Sequence, residues 1–335
     1  MCIAVSVICI VYNHEKFLKK TLDGLVNQKT NFQYEILVHD DASTDNSKKI
    51  IEIYTVQYPN LIIPIYQDDN KYSKGEYILF DYLVPRIRGK YVAFCEGDDY
   101  WSNSEKLQMQ YDALEKNASC GMCVHKVQCC TEDGQLLPLF FPPEDLAFRQ
   151  GVINKSNVVG LLYNKGLYPF HTSSYMLRSD ILRDSNNINI KEMSYFDIGL
   201  LRLGILMGDF YYIEQHMSVR RIMESDSWNV RYKKASVIEL KKIYERWMDL
   251  EMAFAEESGG AYESEIAQRM YNLLFSFLWR TENNKLFQEM WDQYGNMLMK
   301  CNHFGTKQRM IMKMMKNWPA MIIFLKHLRS ILKKG

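Results

Sequence analysis

Cys95-Glu96-Gly97-Asp98-Asp99-Tyr100-Trp101 sets three carboxylates within four residues, directly after the short apolar run Tyr91-Val92-Ala93-Phe94. Carboxylates this close repel one another unless a cation or polar ligand offsets the cost. Hard divalent cations take oxygen ligands, commonly one or two carboxylates together with substrate phosphates. The segment is therefore suited to a metal-bridged phosphate site at a strand end. The plainer reading is an acidic surface loop that caps the next helix at Ser102 or Ser104. Two other stretches bear on that choice. Val5-Ser6-Val7-Ile8-Cys9-Ile10-Val11-Tyr12-Asn13 is an apolar run ending in Tyr-Asn. Glu35-Ile36-Leu37-Val38-His39-Asp40-Asp41-Ala42-Ser43-Thr44-Asp45 is a second, ending in paired aspartates and a helix-start signal.

Such groups need a scaffold that brings three chain segments to one place. Residues 3–11 read as a strand, and Glu15–Gln28 as a helix with Phe17, Leu18, Leu22, Leu25 and Val26 on one face. A second strand covers Tyr34–Val38. Ser43 or Thr44 can cap a helix through Tyr54, with Asp45 in its first turn. Leu61–Tyr66 is a third strand, where Pro64 marks an edge or a bulge. Gly75–Ile87 reads as helix, 91–94 as strand and Ser104–Lys116 as helix. This alternation predicts βαβ units whose carboxyl ends converge on one edge of an open sheet, the edge where such folds present ligands. Thr131–Lys165, with Pro138, Pro142 and Pro143, reads as an irregular insertion or acceptor-side loop. Ser173–Leu177 and Phe210–Glu214 are further strands, Tyr195–Leu206 is a helix, and the chain is helical from about Ala235.

In order and spacing, VSVICIVYNHEKFLKKTLDGLVNQ, EILVHDDASTDNS and GKYVAFCEGDDYW resemble glycosyltransferase family 2, the inverting nucleotide-sugar transferases. HTSSYMLR, YFDIGLLRLG and MSVRR extend the likeness more loosely to about residue 230. The resemblance implies an α/β fold of GT-A type, a Rossmann-like mixed sheet flanked by helices. That domain would occupy residues 1–230, with a helical C-terminal extension over 231–335. It further implies a UDP-sugar donor, a glycan or lipid-linked acceptor, and Mn²⁺ or Mg²⁺ as cofactor. By this likeness Asp41 contacts the uracil ring, Tyr12 lies near the base, and Asp40 supports the loop backbone. Asp98 is the metal-binding carboxylate. Glu96 stands where the family usually has the first Asp of an Asp-x-Asp pair, facing the ribose or the metal. Asp99 would orient the donor sugar or support the site from behind. Asp197 matches the catalytic base, with a helix cap as its other reading and Glu192 as competitor. Arg220 and Arg221 fall where relatives carry Tyr-Arg-x-His. Arg221 aligns with the phosphate-binding Arg, and Met223 stands where the His is often found. Lys71 and Lys74 are further phosphate candidates. His171 belongs to an acceptor-side segment, and Trp101 either stacks on a sugar or anchors the acidic loop in the core.

Composition narrows the classes. A net charge of +1 over 335 residues gives no case for nucleic-acid binding. The 8 cysteines lie partly in apolar strand-like runs, and no secretory signal is visible, which points to a reducing, cytoplasmic setting. Cys120-Gly121-Met122-Cys123 with His125, Cys129 and Cys130 has partial zinc-ligand spacing. Its strand-like alternation turns the side chains to opposite faces and argues against zinc. Met310–Lys334 mixes Met, Ile, Leu, Phe and Trp318 with many Lys and Arg. It is either a helix lying on the anionic inner face of the cell membrane or a surface helix interrupted by Pro319. Two other functions stay open, a sugar nucleotidyltransferase and a non-catalytic nucleotide-binding scaffold. Against the first, Val11-Tyr12-Asn13-His14 holds the place where such enzymes carry a Gly-rich basic loop.

Overall fold

The computed structural model describes residues 2–183, 188–193, 197–223, 232–302 and 304–332. They fall into two compact units, Met1–Glu224 and Ser225–Gly335. The first unit is built on β1 (Ile3–Val11), α1 (Leu18–Val26), β2 (Gln33–Asp40), α2 (Ser47–Gln57), β3 (Ile62–Tyr66), β4 (Tyr91–Phe94) and β5 (Tyr100–Trp101). It continues through α3 (Lys106–Lys116), β6 (Cys120–Cys130), β7 (Leu136–Phe141), β8 (Gly151–Ile153) and α4 (Lys155–Val159). It closes with β9 (Met176–Arg178), α5 (Ile188–Met193), α6 (Asp197–Met207) and β10 (Asp209–Arg221).

The ten strands form one sheet in the order β3-β2-β1-β4-β9-β6-β10-β5, with β7 added to β6 and β8 to β10. β1 is central and parallel to both β2 and β4. Its Val5, Val7, Cys9 and Val11 on one face and Ser6 and Ile8 on the other are buried, as expected of a strand covered on both faces. The buried Ser6 hydroxyl is satisfied by Glu35, 2.6 Å away. The strand order reverses direction at β1, so the crevice beyond the β1 and β4 carboxyl ends is the place where this class of sheet binds ligands. β3 is an edge strand, which is where Pro64 can sit without a missing ladder bond.

The second half of the sheet reaches the same edge. β9 runs antiparallel to β4 and to β6, while β10 runs parallel to β6. The carboxyl ends of β6 and β10 and the start of β9 therefore face the same side as the end of β4. After the acidic loop the chain turns back as β5, antiparallel to β10, pairing Tyr100 with Val219 and Trp101 with Ser218.

Three expectations need correction. The stretch 131–165 is not irregular: it carries β7, β8 and α4. Ile78–Leu83 and Val84–Arg86 are two short turns of different winding rather than one helix over 75–87. Neither Ser43 nor Thr44 caps α2, which begins at Ser47 after Asn46. Both are instead bonded across to Asn13.

The second unit is helical. α7 (Val237–Glu257) starts with a capping box of Ser236 and Glu239 and packs on α8 (Glu263–Thr281), with the Tyr244 ring 5.3 Å from the Phe277 ring. α9 (Asn284–Met290), α10 (Asn296–Lys300), α11 (Thr306–Asn317) and α12 (Pro319–Leu332) complete it. No helix among the described residues is long and apolar enough to cross a membrane.

Candidate active site

The loops after β1 and β2 hold each other in place. Asn13 N donates to Ser43 Oγ (2.9 Å), and Thr44 N donates to Asn13 Oδ1 (2.8 Å). His14 N donates to Ser47 Oγ (2.9 Å) and Glu15 N to Asp45 Oδ2 (2.9 Å). Glu15 Oε2 in turn accepts from Asn46 N at 2.9 Å. Asn13 and Ala42 both have positive φ, 57° and 60°. For Ala this is a sparsely populated conformation that persists only where its surroundings impose it. It follows Asp41 directly.

Asp40 accepts from Ser43 N (3.2 Å), so it supports its own loop. Asp41 is buried, and its two oxygens accept from Lys71 N (2.8 Å) and Tyr72 N (3.0 Å). Burial raises its carboxyl above the usual range, and those two amides oppose the rise. Lys71 and Lys74 are both tied to Asp69, each at 2.8 Å. Tyr12 is half-buried at the β1 end.

The acidic loop packs tightly against β1. Gly97 N donates to Ile10 O at 2.9 Å. A Cβ on Gly97 would come within 2.5 Å of His14 Nδ1, so any larger residue here has to displace the His14 ring. From below, Thr21 Oγ1 lies 2.9 Å from Gly97 O and 2.5 Å from Asp99 O. Glu96 is exposed, Asp98 half-buried and Asp99 buried. One oxygen from each of the three lies within 4.8 Å of the others. Among the described residues this is the only such group of His, Cys, Asp or Glu, and the cysteines of β6 are buried thiols without one.

Asp99 Oδ1 accepts from Arg221 N (2.8 Å), while Oδ2 has no hydrogen-bond partner among the described residues. His171 Nδ1 stands 3.5 Å from that oxygen, beyond a directed bond, and is 3.0 Å from Ser173 Oγ. Burial, then Asp98 and Glu96, push the Asp99 carboxyl well up. Burial, then Arg220, push the His171 imidazole well down. An all-oxygen set with a buried carboxylate oxygen lacking a partner fits a hard divalent cation.

The other sequence candidates divide. Trp101 is 3 % exposed and packs in the main core, with Lys106 Nζ 3.9 Å above its ring. It anchors the loop and is not open to a sugar. Arg221 is also buried. Its Nε donates to Asp98 O (3.1 Å) and its Nη1 to Glu132 O (2.7 Å), with Phe17 beneath the guanidinium at 4.5 Å. It braces the acidic loop against the turn after β6. Glu192 accepts from the Tyr77 hydroxyl. Asp197 opens α6, but its side chain lies outside the described residues. Thr21 and Gly97, which hold the loop, were not singled out from sequence. A hydroxyl at helical spacing beneath a Gly-Asp-Asp turn was the available signal.

Residues 6–180 match the glycosyl transferase family 2 sequence profile. An uncharacterised protein of Mycobacterium tuberculosis is 39% identical over 129 residues, covering 38% of this chain and 36% of its own length. The matched region thus spans about a third of that relative. The E. coli UDP-Glc:alpha-D-GlcNAc-diphosphoundecaprenol beta-1,3-glucosyltransferase WfgD is 27% identical over 192 residues, or 54% of this chain and 71% of its own. In structure, S. aureus TarS 1–349 in complex with UDP superposes with a TM-score of 0.61 at 17% identity, covering 97% of this chain and 89% of that one. The fold is the expected mixed α/β sheet of GT-A type with flanking helices.

Proposed function

Since this chain belongs to glycosyl transferase family 2, we propose that it transfers a sugar from a UDP-sugar to a glycan or lipid-linked acceptor in cell-surface polysaccharide or glycoconjugate assembly, with inversion at the anomeric carbon. The carrying observation is the convergence of Asp41, Glu96, Asp98 and Asp99 at one sheet edge, where the strand order reverses. The UDP complex of the structural neighbour and the lipid diphosphate acceptor in the E. coli relative's name support the same reading.

Asp98, with Glu96 and Asp99 beside it, would hold Mn²⁺ or Mg²⁺, whose chemistry is to offset the charge of the diphosphate. Asp41 keeps lone pairs beyond its two amide bonds and can accept the uracil imide N–H. Tyr12 lies at the same rim and offers a face to the base. The acceptor hydroxyl attacks the anomeric carbon as the bond to the diphosphate breaks. Its proton passes to Asp197, and no enzyme nucleophile is needed. A panel of UDP-, GDP- and dTDP-sugars with Mn²⁺, scored for nucleoside diphosphate release and for protection against melting, tests this reading. Release of UDP from a UDP-sugar is expected. Protection by UDP without release from any donor would make the chain a nucleotide-binding scaffold instead.

A lipid-linked acceptor would hold the enzyme at the cytoplasmic face of the membrane, and the second unit carries a suitable surface. α11 exposes Lys307, Met310, Lys313 and Lys316, and α12 exposes Met321, Phe324 and Leu325. Trp318, 61 % exposed, joins them. Lysines beside exposed aromatics suit an anionic lipid interface. Sedimentation with anionic vesicles should carry the protein down at low salt and less at high salt. Trp318→Ser with Phe324→Ser should abolish it, and equal sedimentation of that variant would remove this face from the proposal.

A further inference from the structure

The charge of the chain is unevenly placed. From Gln293 onward it carries nine Lys and Arg and no Asp or Glu, although its net charge is +1. α11 and α12 make up most of that stretch. α11 buries Met312 and Met315, while Lys307, Lys313 and Lys316 are exposed and form no ion pair among the described residues. α12 begins directly after Trp318, with Pro319 in the first helical position, where proline costs no backbone bond. The joint between the helices is braced. Trp318 N donates to Met314 O at 2.8 Å, and Met321 N to Trp318 O at 2.9 Å. Farther along α12, Ile322 is buried, and Lys326 Nζ donates to Trp279 O (2.5 Å) and to Glu282 Oε1 (2.6 Å). Beside the joint, Asn284, Asn317, Trp318, Pro319, Ala320 and Met321 line a notch of about 670 Å³. Its lining is apolar apart from the two asparagines.

We propose that this notch seats a hydrocarbon chain of an anionic phospholipid, with the lysines of α11 against the head group. The inference rests on the membrane-face reading above and adds a defined lipid site to it. An apolar notch gains by taking hydrocarbon out of water. Trp318 is exposed at its wall, and an amphipathic ring of this kind suits the level of the head groups, with hydrocarbon on one side and water on the other. The cations are spread in sequence from Lys300 to Lys334, which matches a surface of many single charges better than one compact diphosphate. A second copy of this chain would bring the same cations face to face, and that like-charge contact disfavours it as the occupant.

The test uses the full chain and a short-chain phosphatidylglycerol that stays monomeric in solution, its chains brominated so that they quench tryptophan on contact. Saturable quenching is expected, and Trp318→Phe, which keeps an aromatic wall, should lose most of it. Phosphatidylcholine with the same chains should bind about tenfold more weakly, because it lacks the net charge. Ala320→Phe fills the notch. Its affinity for the phosphatidylglycerol should fall roughly tenfold, the worth of about two buried methylenes, with an unchanged melting temperature. Quenching that does not saturate, full affinity in Ala320→Phe, or equal affinity for phosphatidylcholine overturns the proposal. Tighter binding of farnesyl diphosphate than of phosphatidylglycerol also overturns it and gives the notch to an isoprenoid chain. So does a dimeric mass without lipid that Ala320→Phe abolishes, which gives it to a second copy. Sedimentation of the wild-type protein with anionic vesicles separates the two layers. Sedimentation without saturable binding of the monomeric lipid keeps the membrane face and removes the site, whereas failure of both removes both.

Discussion

The loops after β1 and β2 and the loop after β4 lie on one edge of the sheet, yet they are finished differently. The first pair is a closed lattice in which Asn13, His14 and Glu15 exchange bonds with Ser43, Thr44, Asp45, Asn46 and Ser47. The acidic loop is fixed just as firmly through its backbone, by Ile10 O, Thr21 and Arg221. Its side chains are not closed: Asp99 Oδ2 is buried without a hydrogen-bond partner among the described residues. Buried polar atoms are nearly always satisfied, and an exception inside a cluster of three carboxylates fits a place that a cation completes. A rigid frame with unsaturated side chains is preorganised for charge, whereas the closed lattice sets a shape.

Substitutions can separate frame, shape and chemistry. The largest effect on turnover outside the acidic loop should come from Asp197→Asn. Its predicted role concerns the acceptor proton, so turnover should drop by about two to four orders of magnitude, the usual worth of a positioned base. UDP binding by calorimetry should be unchanged. Normal turnover would pass the role to another carboxylate, with Glu192 first in line, and loss of UDP binding would make Asp197 structural.

Asp41→Ala should act on recognition. Removing a charged acceptor should weaken UDP binding by about 1–3 kcal/mol. It also strips the Lys71 and Tyr72 amides of their acceptor, so the 70–74 segment should become more sensitive to protease. Equal affinity for UDP and GDP in the wild-type protein would refute uridine recognition altogether.

The smallest effect concerns the frame alone. Lys106 is fully buried beneath Trp101, bonded to Gln110 Oε1 at 2.6 Å, and burial lowers its ammonium to about 7. The unfolded chain keeps that proton up to the ordinary lysine value, so between pH 7 and about 10 it binds more protons than the folded protein. Stability should therefore rise with pH across that window. Lys106→Met should remove the slope and, as burying a charge is costly, raise stability at neutral pH by roughly 1 kcal/mol. Urea melts at pH 7 and at about 9.5 check it. An unchanged slope would mean that Lys106 is not the group responsible.

The central strands and the acidic motif were legible because parallel buried strands write nearly continuous apolar runs, and polar residues break them only at the ends. Tyr91–Phe94 followed by Glu96 is such a case. What side chains do at that edge was less legible. Arg220 and Arg221 are chemically identical, and only the pleat decides which one is buried against Phe17 and which faces Phe141. Trp101 has the residue type for sugar stacking, but its ring is buried in the main core under Lys106, and helix α1 passes so close to its backbone that a Cβ on Gly24 would meet Trp101 O at 2.5 Å. β7 was hidden by Pro138, tolerable there because β7 pairs only with β6 and its register slips between Gln128 and Cys130.

The central claim is that the unsaturated acidic loop is where cation and diphosphate meet. Calorimetry of UDP with the wild-type protein and with Asp98→Asn, each with Mn²⁺ and with EDTA, addresses it directly. Wild-type affinity should depend on Mn²⁺, and Asp98→Asn should bind UDP equally weakly in both conditions, with turnover abolished. Full wild-type activity in EDTA, or an unaltered Mn²⁺ response in Asp98→Asn, would contradict it.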